Sequence, residues 1–170
     1  MNSPIFPLKK VVSGGQTGVD RGALMAALSL NFDCGGWCPP GRLAEGGVIP
    51  PEFPMTEMAT GHYAERTLRN VLDSDATVVL YFGTMEGGTK QTQRLCAKHA
   101  KPHLPIDAAC TGDDAATEAI RVFVLSHSVQ VLNVAGPRQS KEPRAFDYAY
   151  DVIWALIIRH TRATKTVSAD

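Results

Sequence analysis

The chain has 170 residues, close to one ordinary domain and too short for two well-filled cores. A hydrophobic fraction of 44% with 20% charged residues excludes global disorder, and 17 basic against 17 acidic side chains leave no net field to attract nucleic acid or an acidic membrane. The longest apolar run near the C-terminus, residues 152–158, falls far short of the roughly 20 residues of a membrane span.

Residues 9–13 read as a first strand that breaks into Gly14-Gly15-Gln16-Thr17-Gly18, and residues 19–30 as a helix with Leu24 and Leu28 on one face. A short second strand at 33–36 leads into a Pro- and Gly-rich stretch over about 37–60 with little regular structure, and loops of that length inside a domain are often functional. Thr60 is placed to cap a helix running from 61 or 62 to about 73, in which Arg66 and Asn70 share a face apart from Leu68, Val71 and Leu72. Residues 75–82 form the continuous apolar run of a central parallel strand, and the loop 83–88 opens a helix over 89–100. A short strand at 104–106, a helix at 114–126, a fifth strand at 129–134 and a last helix at 143–160 complete the chain, with Phe146, Ala149, Ile153 and Leu156 at core-facing intervals. This alternation predicts one α/β domain over 1–170, a doubly wound and mostly parallel sheet of about five strands with helices on both faces.

Four cysteines at 34, 38, 96 and 110 are too few and too scattered for a disulfide framework. Cys34 and Cys38 have no second pair to complete a tetrahedral site, and the five histidines show no metal spacing, so no metal site is expected. The first ten residues lack the order of charge and apolar run that marks a secretory signal, and a cytoplasmic location is expected.

Three strands end in glycine-rich polar turns: residues 13–21, 83–89 and 133–138. In an open parallel sheet these ends share one rim, where ligands bind. Glycines let a backbone approach an anion, and the following helix adds free N–H groups and a positive dipole end. Neither a G-x-G-x-x-G fingerprint nor a Walker A loop is present. Gly14, Gly15, Gln16, Thr17 and Gly18 are therefore expected to cradle one anion, with Asp20 and Arg21 at the start of the first helix beside it. Gly87, Gly88 and Thr89 would bind a second polar group, and Gly136 and Arg138 would close the rim. In the long loop, Arg42 suits bidentate phosphate contact and Trp37 suits stacking on a flat heterocycle. Glu45, Glu57 and Glu86 are the loop carboxylates, each without a sequence-local partner that would give it a catalytic role.

Ser-Gly-Gly-Gln-Thr-Gly-Val-Asp-Arg at 13–21, Gly-Gly-Trp-Cys-Pro-Pro-Gly-Arg at 35–42, Arg-Thr-Leu-Arg-Asn-Val at 66–71, Asp-Ser-Asp-Ala-Thr at 73–77, Gly-Gly-Thr at 87–89 and Asn-Val-Ala-Gly-Pro-Arg at 133–138 together resemble the bacterial "putative molybdenum carrier protein" family, over about residues 10–158. That family is similar to a broader Rossmann-like group that includes the molybdenum cofactor carrier of green algae and the lysine-decarboxylase-like phosphoribohydrolases. The resemblance implies a Rossmann-like fold holding a phosphate-bearing small ligand at the strand rim, commonly in a homo-oligomer. Molybdenum cofactor, a pterin with a terminal phosphate, is the implied ligand, with molybdoenzymes as recipients; a nucleotide is the alternative. The phosphoribohydrolases carry a Pro-Gly-Gly-x-Gly-Thr-x-x-Glu signature whose Glu is catalytic, and Thr92 stands in its place here. Binding without catalysis is thus the leading expectation. An enzyme using Asp20, Glu45 or Glu86 as base, or a sensor that shifts oligomer state, is the rival.

Overall fold

A computed structural model describes residues 6–167, with side chains as far as residue 160. In chain order the elements are β1 (Lys10–Val12), α1 (Val19–Ser29), β2 (Cys34–Cys38), β3 (Leu43–Ala44), β4 (Gly47–Val48), β5 (Met55–Glu57), α2 (Tyr63–Leu72), β6 (Ala76–Tyr81), α3 (Gly87–Lys98), β7 (His103–Asp107), α4 (Asp113–Ser126), β8 (Val131–Ala135) and α5 (Ala145–Val167). Six strands form one sheet in the order β5-β2-β1-β8-β6-β7, and every pairing in it is parallel. The C-terminal ends of all six therefore lie along a single edge.

Helix α5 packs between α1 and α4 on one face, and α2 and α3 pack together on the other. Coverage on both sides explains the unbroken apolar sequence of β6, in which residues 76 through 80 are buried. The α1–α5 contact is close because of Gly22: a Cβ there would lie 2.3 Å from the Phe146 carbonyl oxygen.

The expected alternation holds, with a sixth strand added. β5 has only three residues, Met-Thr-Glu, and pairs with Gly36, Trp37 and Cys38 at the end of β2, which runs two residues further than its sequence suggests. The long loop thus contains β5 and a separate hairpin in which Leu43 faces Val48. Thr60 does not cap α2; its hydroxyl bonds the Glu65 carboxylate, and the helix begins at Tyr63.

The candidate ligand site

The rim turns after β1, β6 and β8 enclose a cavity of about 840 Å³. From β6 the chain moves outward to β7, whereas β8 lies on the other side of β6, against β1. This is the point at which an open α/β sheet changes winding direction, the usual place for a ligand crevice. Helices α2 and α3 supply the remaining walls.

Asp20, on the first turn of α1, and Arg66, on α2, meet at the inner wall and are each only 7% exposed. Arg66 Nη1 lies 3.4 Å from Asp20 Oδ2, which also accepts the Gln16 amide at 3.2 Å. Burial raises the pKa of Asp20 more than Arg66, the Gln16 amide and the Ser13 hydroxyl lower it. Gly14 is what admits the guanidinium: a Cβ at that position would lie 1.4 Å from Arg66 Nη1. The Tyr63 ring packs on the other side, 4.5 Å from the guanidinium carbon, and the Arg66 Nε is sealed from solvent with no acceptor.

Helix α3 brings its N-terminus to the same cavity through Glu86, Gly87, Gly88 and Thr89. Its N-cap residue, Glu86, makes no side-chain capping bond, and no acid lies in its first turn. Among the described residues, apart from chain neighbours and the helix's own backbone, nothing lies within 4 Å of where a Cβ of Gly87 or Gly88 would be. An open, twelve-residue helix end of this kind presents N–H groups and a partial positive charge to whatever fills the cavity.

The first glycine turn is built differently. The Gln16 amide is held by Asp20, the Thr17 amide by Gln16 Oε1 at 3.0 Å, and the Val19 amide by the Pro137 carbonyl at 3.2 Å. Gln16 Oε1 also accepts the Glu45 amide at 2.7 Å, and its Nε2 donates to the Tyr63 hydroxyl. Glu45 in turn takes the Thr17 hydroxyl at 2.9 Å and both the amide and hydroxyl of Ser140, with Arg138 at 3.8 Å. These bonds, the Ser140 hydroxyl first, hold its carboxyl below the usual range. Glu45 is thus a clasp joining the long loop to the turn after β8.

Of the fourteen residues expected to bind the ligand, eight line the cavity: Gly14, Gln16, Asp20, Gly87, Gly88, Thr89, Gly136 and Arg138; the loop carboxylate Glu86 lines it too. The other six do not. Gly15 faces Ile49 and Met55, Gly18 backs onto Pro137 and Arg138, and Thr17 serves the clasp. Arg21 donates from Nε to the Gly15 carbonyl at 3.3 Å. Trp37 donates its ring N–H to Asp73 at 2.7 Å, and the Asn70 side-chain amide brackets its backbone, accepting from the N–H at 2.8 Å and donating to the carbonyl at 3.0 Å. Arg42 fastens its own loop, reaching the carbonyls of Ile49 at 3.0 Å and of Pro50 and Phe53 at 2.8 Å each. The principal residue that sequence reasoning left out is Arg66. Its signal was the polar face it shares with Asn70, one turn later, on a helix following a loop of structural rather than ligating residues.

Among the lining residues there is no cysteine, methionine or histidine. Cys38 is buried within β2, where burial pushes its thiol pKa up. Among the described residues no cluster of three or more His, Cys, Asp or Glu could hold a metal ion. The cavity offers hydrogen bonds and charge, which fit a phosphate and the polar edge of a heterocycle; soft ligation of a metal has no donor on its walls. No helix among the described residues is long and apolar enough to cross a membrane.

The family model described as "Circularly permutated YpsA SLOG family" matches residues 11–157. A crystal structure at 1.45 Å resolution of a "Putative molybdenum carrier protein" from Syntrophus aciditrophicus SB is similar at 40% sequence identity, over 89% of this chain and 96% of that one, with a TM-score of 0.86. No curated protein matches the chain.

Proposed function

The chain belongs to the circularly permutated YpsA SLOG family, and from that premise we propose that it is a binding protein for a small phosphate-bearing ligand seated in the rim cavity, with molybdenum cofactor as the leading candidate. The observation that carries this reading is the open N-terminus of α3, whose Gly87 and Gly88 face the cavity with no capping side chain. An oxyanion there accepts backbone N–H bonds and meets the positive helix end. Arg138 and Lys141, in the segment after β8, line the same cavity and add cations to it. The name of the Syntrophus relative supports molybdenum-related cargo. In this reading the ligand is gripped through its phosphate and organic ring, and handed on to molybdoenzymes by a cytoplasmic homo-oligomer.

A nucleotide is the second reading. It is favoured by the position of the cavity at the winding switch and by the aromatic wall of Tyr63, Tyr81 and Phe82. One experiment separates the two: thermal unfolding of the purified protein with molybdenum cofactor, with molybdate and with a panel of nucleotides. A ligand at about 100 times its Kd adds about 2.7 kcal/mol, roughly 5–10 °C for a domain of this size. A shift with the cofactor supports the carrier reading, a shift with nucleotides alone replaces it, and no shift with any refutes both.

A further inference from the structure

We propose that Asp20 and Arg66, side by side on the wall of the rim cavity, recognise the lactam edge of a heterocycle, the ring N–H going to the Asp20 carboxylate and the adjacent C=O to the Arg66 guanidinium. This takes the cavity as the ligand site, as proposed above, and adds which ring the site selects: a hypoxanthine, guanine or pterin ring in preference to an amino-substituted one such as adenine.

A buried acceptor and a buried donor are fixed next to one another here. Each residue is 7% exposed, and each borders the cavity. The carboxylate accepts the Gln16 amide and Arg66 Nη1 on the same oxygen, Oδ2, while the nearby Ser13 hydroxyl gives its hydrogen to the Val134 carbonyl at 2.6 Å. Oδ1 is therefore the oxygen with lone pairs to offer. On Arg66, Nη1 is taken by Asp20 and Nε is sealed, so Nη2 is the nitrogen with hydrogens to offer. The guanidinium also favours the ionised, acceptor-only form of the carboxylate. The other carboxylates on the walls are placed differently, since Glu86 is exposed and Glu142 is held by Arg144 at 2.8 Å.

A lactam presents N–H beside C=O, the complement of an acceptor beside a donor. An amidine edge, a bare ring nitrogen beside an amino group, is the reverse: it sets a lone pair against the carboxylate or N–H against the guanidinium. Buried polar groups that meet the wrong partner lose more than the right pair gains, so a site built on such bonds discriminates strongly. The pair can sit at the wall because position 14 has no side chain, a Cβ there lying 1.4 Å from Arg66 Nη1. Tyr63, with its ring centre 4.5 Å from the guanidinium carbon, backs the donor plane. Tyr81 and Phe82 supply ring faces in the same cavity.

Lactam rings come as purine nucleotides or as pterins, and matched pairs of compounds separate both the edge and the source. The test is isothermal titration calorimetry of the full chain at neutral pH with inosine monophosphate against adenosine monophosphate, and with 6-hydroxymethylpterin against its 2,4-diamino counterpart. Within each pair only the edge changes. In wild type the lactam member is expected to bind about tenfold tighter or more. Asp20→Asn, whose amide turns either its oxygen or its NH2 to the ring, should cut that ratio to about threefold or less. Arg66→Lys, which keeps the charge without the planar donors, should lower the ratio too, and it is the readout should Asp20→Asn fail to fold. The pair that binds more tightly identifies the source, nucleotide or pterin. An amidine member bound as tightly as its lactam partner overturns the proposal, as does a ratio unchanged in the folded variants, and either result leaves the binding reading standing. No binding by any of the four compounds overturns the proposal; if molybdenum cofactor and the nucleotide panel also leave Tm unchanged, the binding reading falls with it.

Discussion

Replacing Arg42 by alanine should unfold the protein more easily and leave its ligand preference unchanged. The side chain is half-buried and joins three carbonyls of the segment that follows it, at Ile49, Pro50 and Phe53. Hydrogen bonds from a charged donor contribute about 1.5–3 kcal/mol each when buried. Partial exposure argues for less, about 1 kcal/mol apiece, so the loss should be about 3 kcal/mol and roughly 6–12 °C in Tm. The effect is local, because these carbonyls bracket Ile49 and Phe53, which plug the loop into the core. Arg42→Lys should recover less than half, since an ammonium cannot span three acceptors in the fork geometry. Urea unfolding by circular dichroism, paired with the ligand-induced Tm shift, provides the assay. A variant as stable as wild type that has lost ligand binding would refute the reasoning and return Arg42 to the site.

Gly22→Ala should destabilise by about 1–2 kcal/mol in denaturant unfolding, because the new methyl meets the Phe146 carbonyl and overpacking outweighs the gain of about 1 kcal/mol in helix propensity; a stabilised variant would mean α1 and α5 can part at little cost. Trp37→Phe removes the bond to Asp73 and should cost about 1 kcal/mol or less without altering the ligand-induced Tm shift, since the ring lies off the cavity; a lost shift would place it in the site. Glu45 has a folded pKa below its ordinary value near 4.5, so its contribution is fully present above that value and is lost as pH falls through the depressed one. Protection factors around residues 43–48 and 137–141 should accordingly fall as the pH drops well below 4.5, and equal protection at about pH 2.5 and pH 7 would remove Glu45 as the clasp.

The winding of the sheet was legible because it is written in long signals: the apolar run of β6, the periodic faces of α1 and α5, and the glycine turns at three strand ends. β5 was not, since three residues of mixed character acquire strand geometry only from the free edge that β2 presents. The lining of the candidate cavity was legible in Gly14, Gly87, Gly88, Gly136 and Asp20, which sit where the backbone must be open or turn. Trp37 and Arg42 misled for one reason: a guanidinium and an indole suit a ligand's phosphate and ring, and equally suit a loop's own carbonyls and a neighbouring Asp73. Which partner wins depends on where the chain folds back. Arg66 was hidden by the opposite circumstance, because its contact partner lies 46 positions away at Asp20.

Among the described residues the last strand in chain order is the one that joins the sheet. β8 pairs with β1 on one side and β6 on the other, Val11 and Ala76 both registering with Leu132. Without that strand the sheet would divide into two halves, β5-β2-β1 and β6-β7, each with an unpaired inner edge of the kind that recruits foreign strands. The candidate cavity draws on the turns after β1, β6 and β8. A substitution that loosens β8 would therefore open the candidate cavity and both inner sheet edges together.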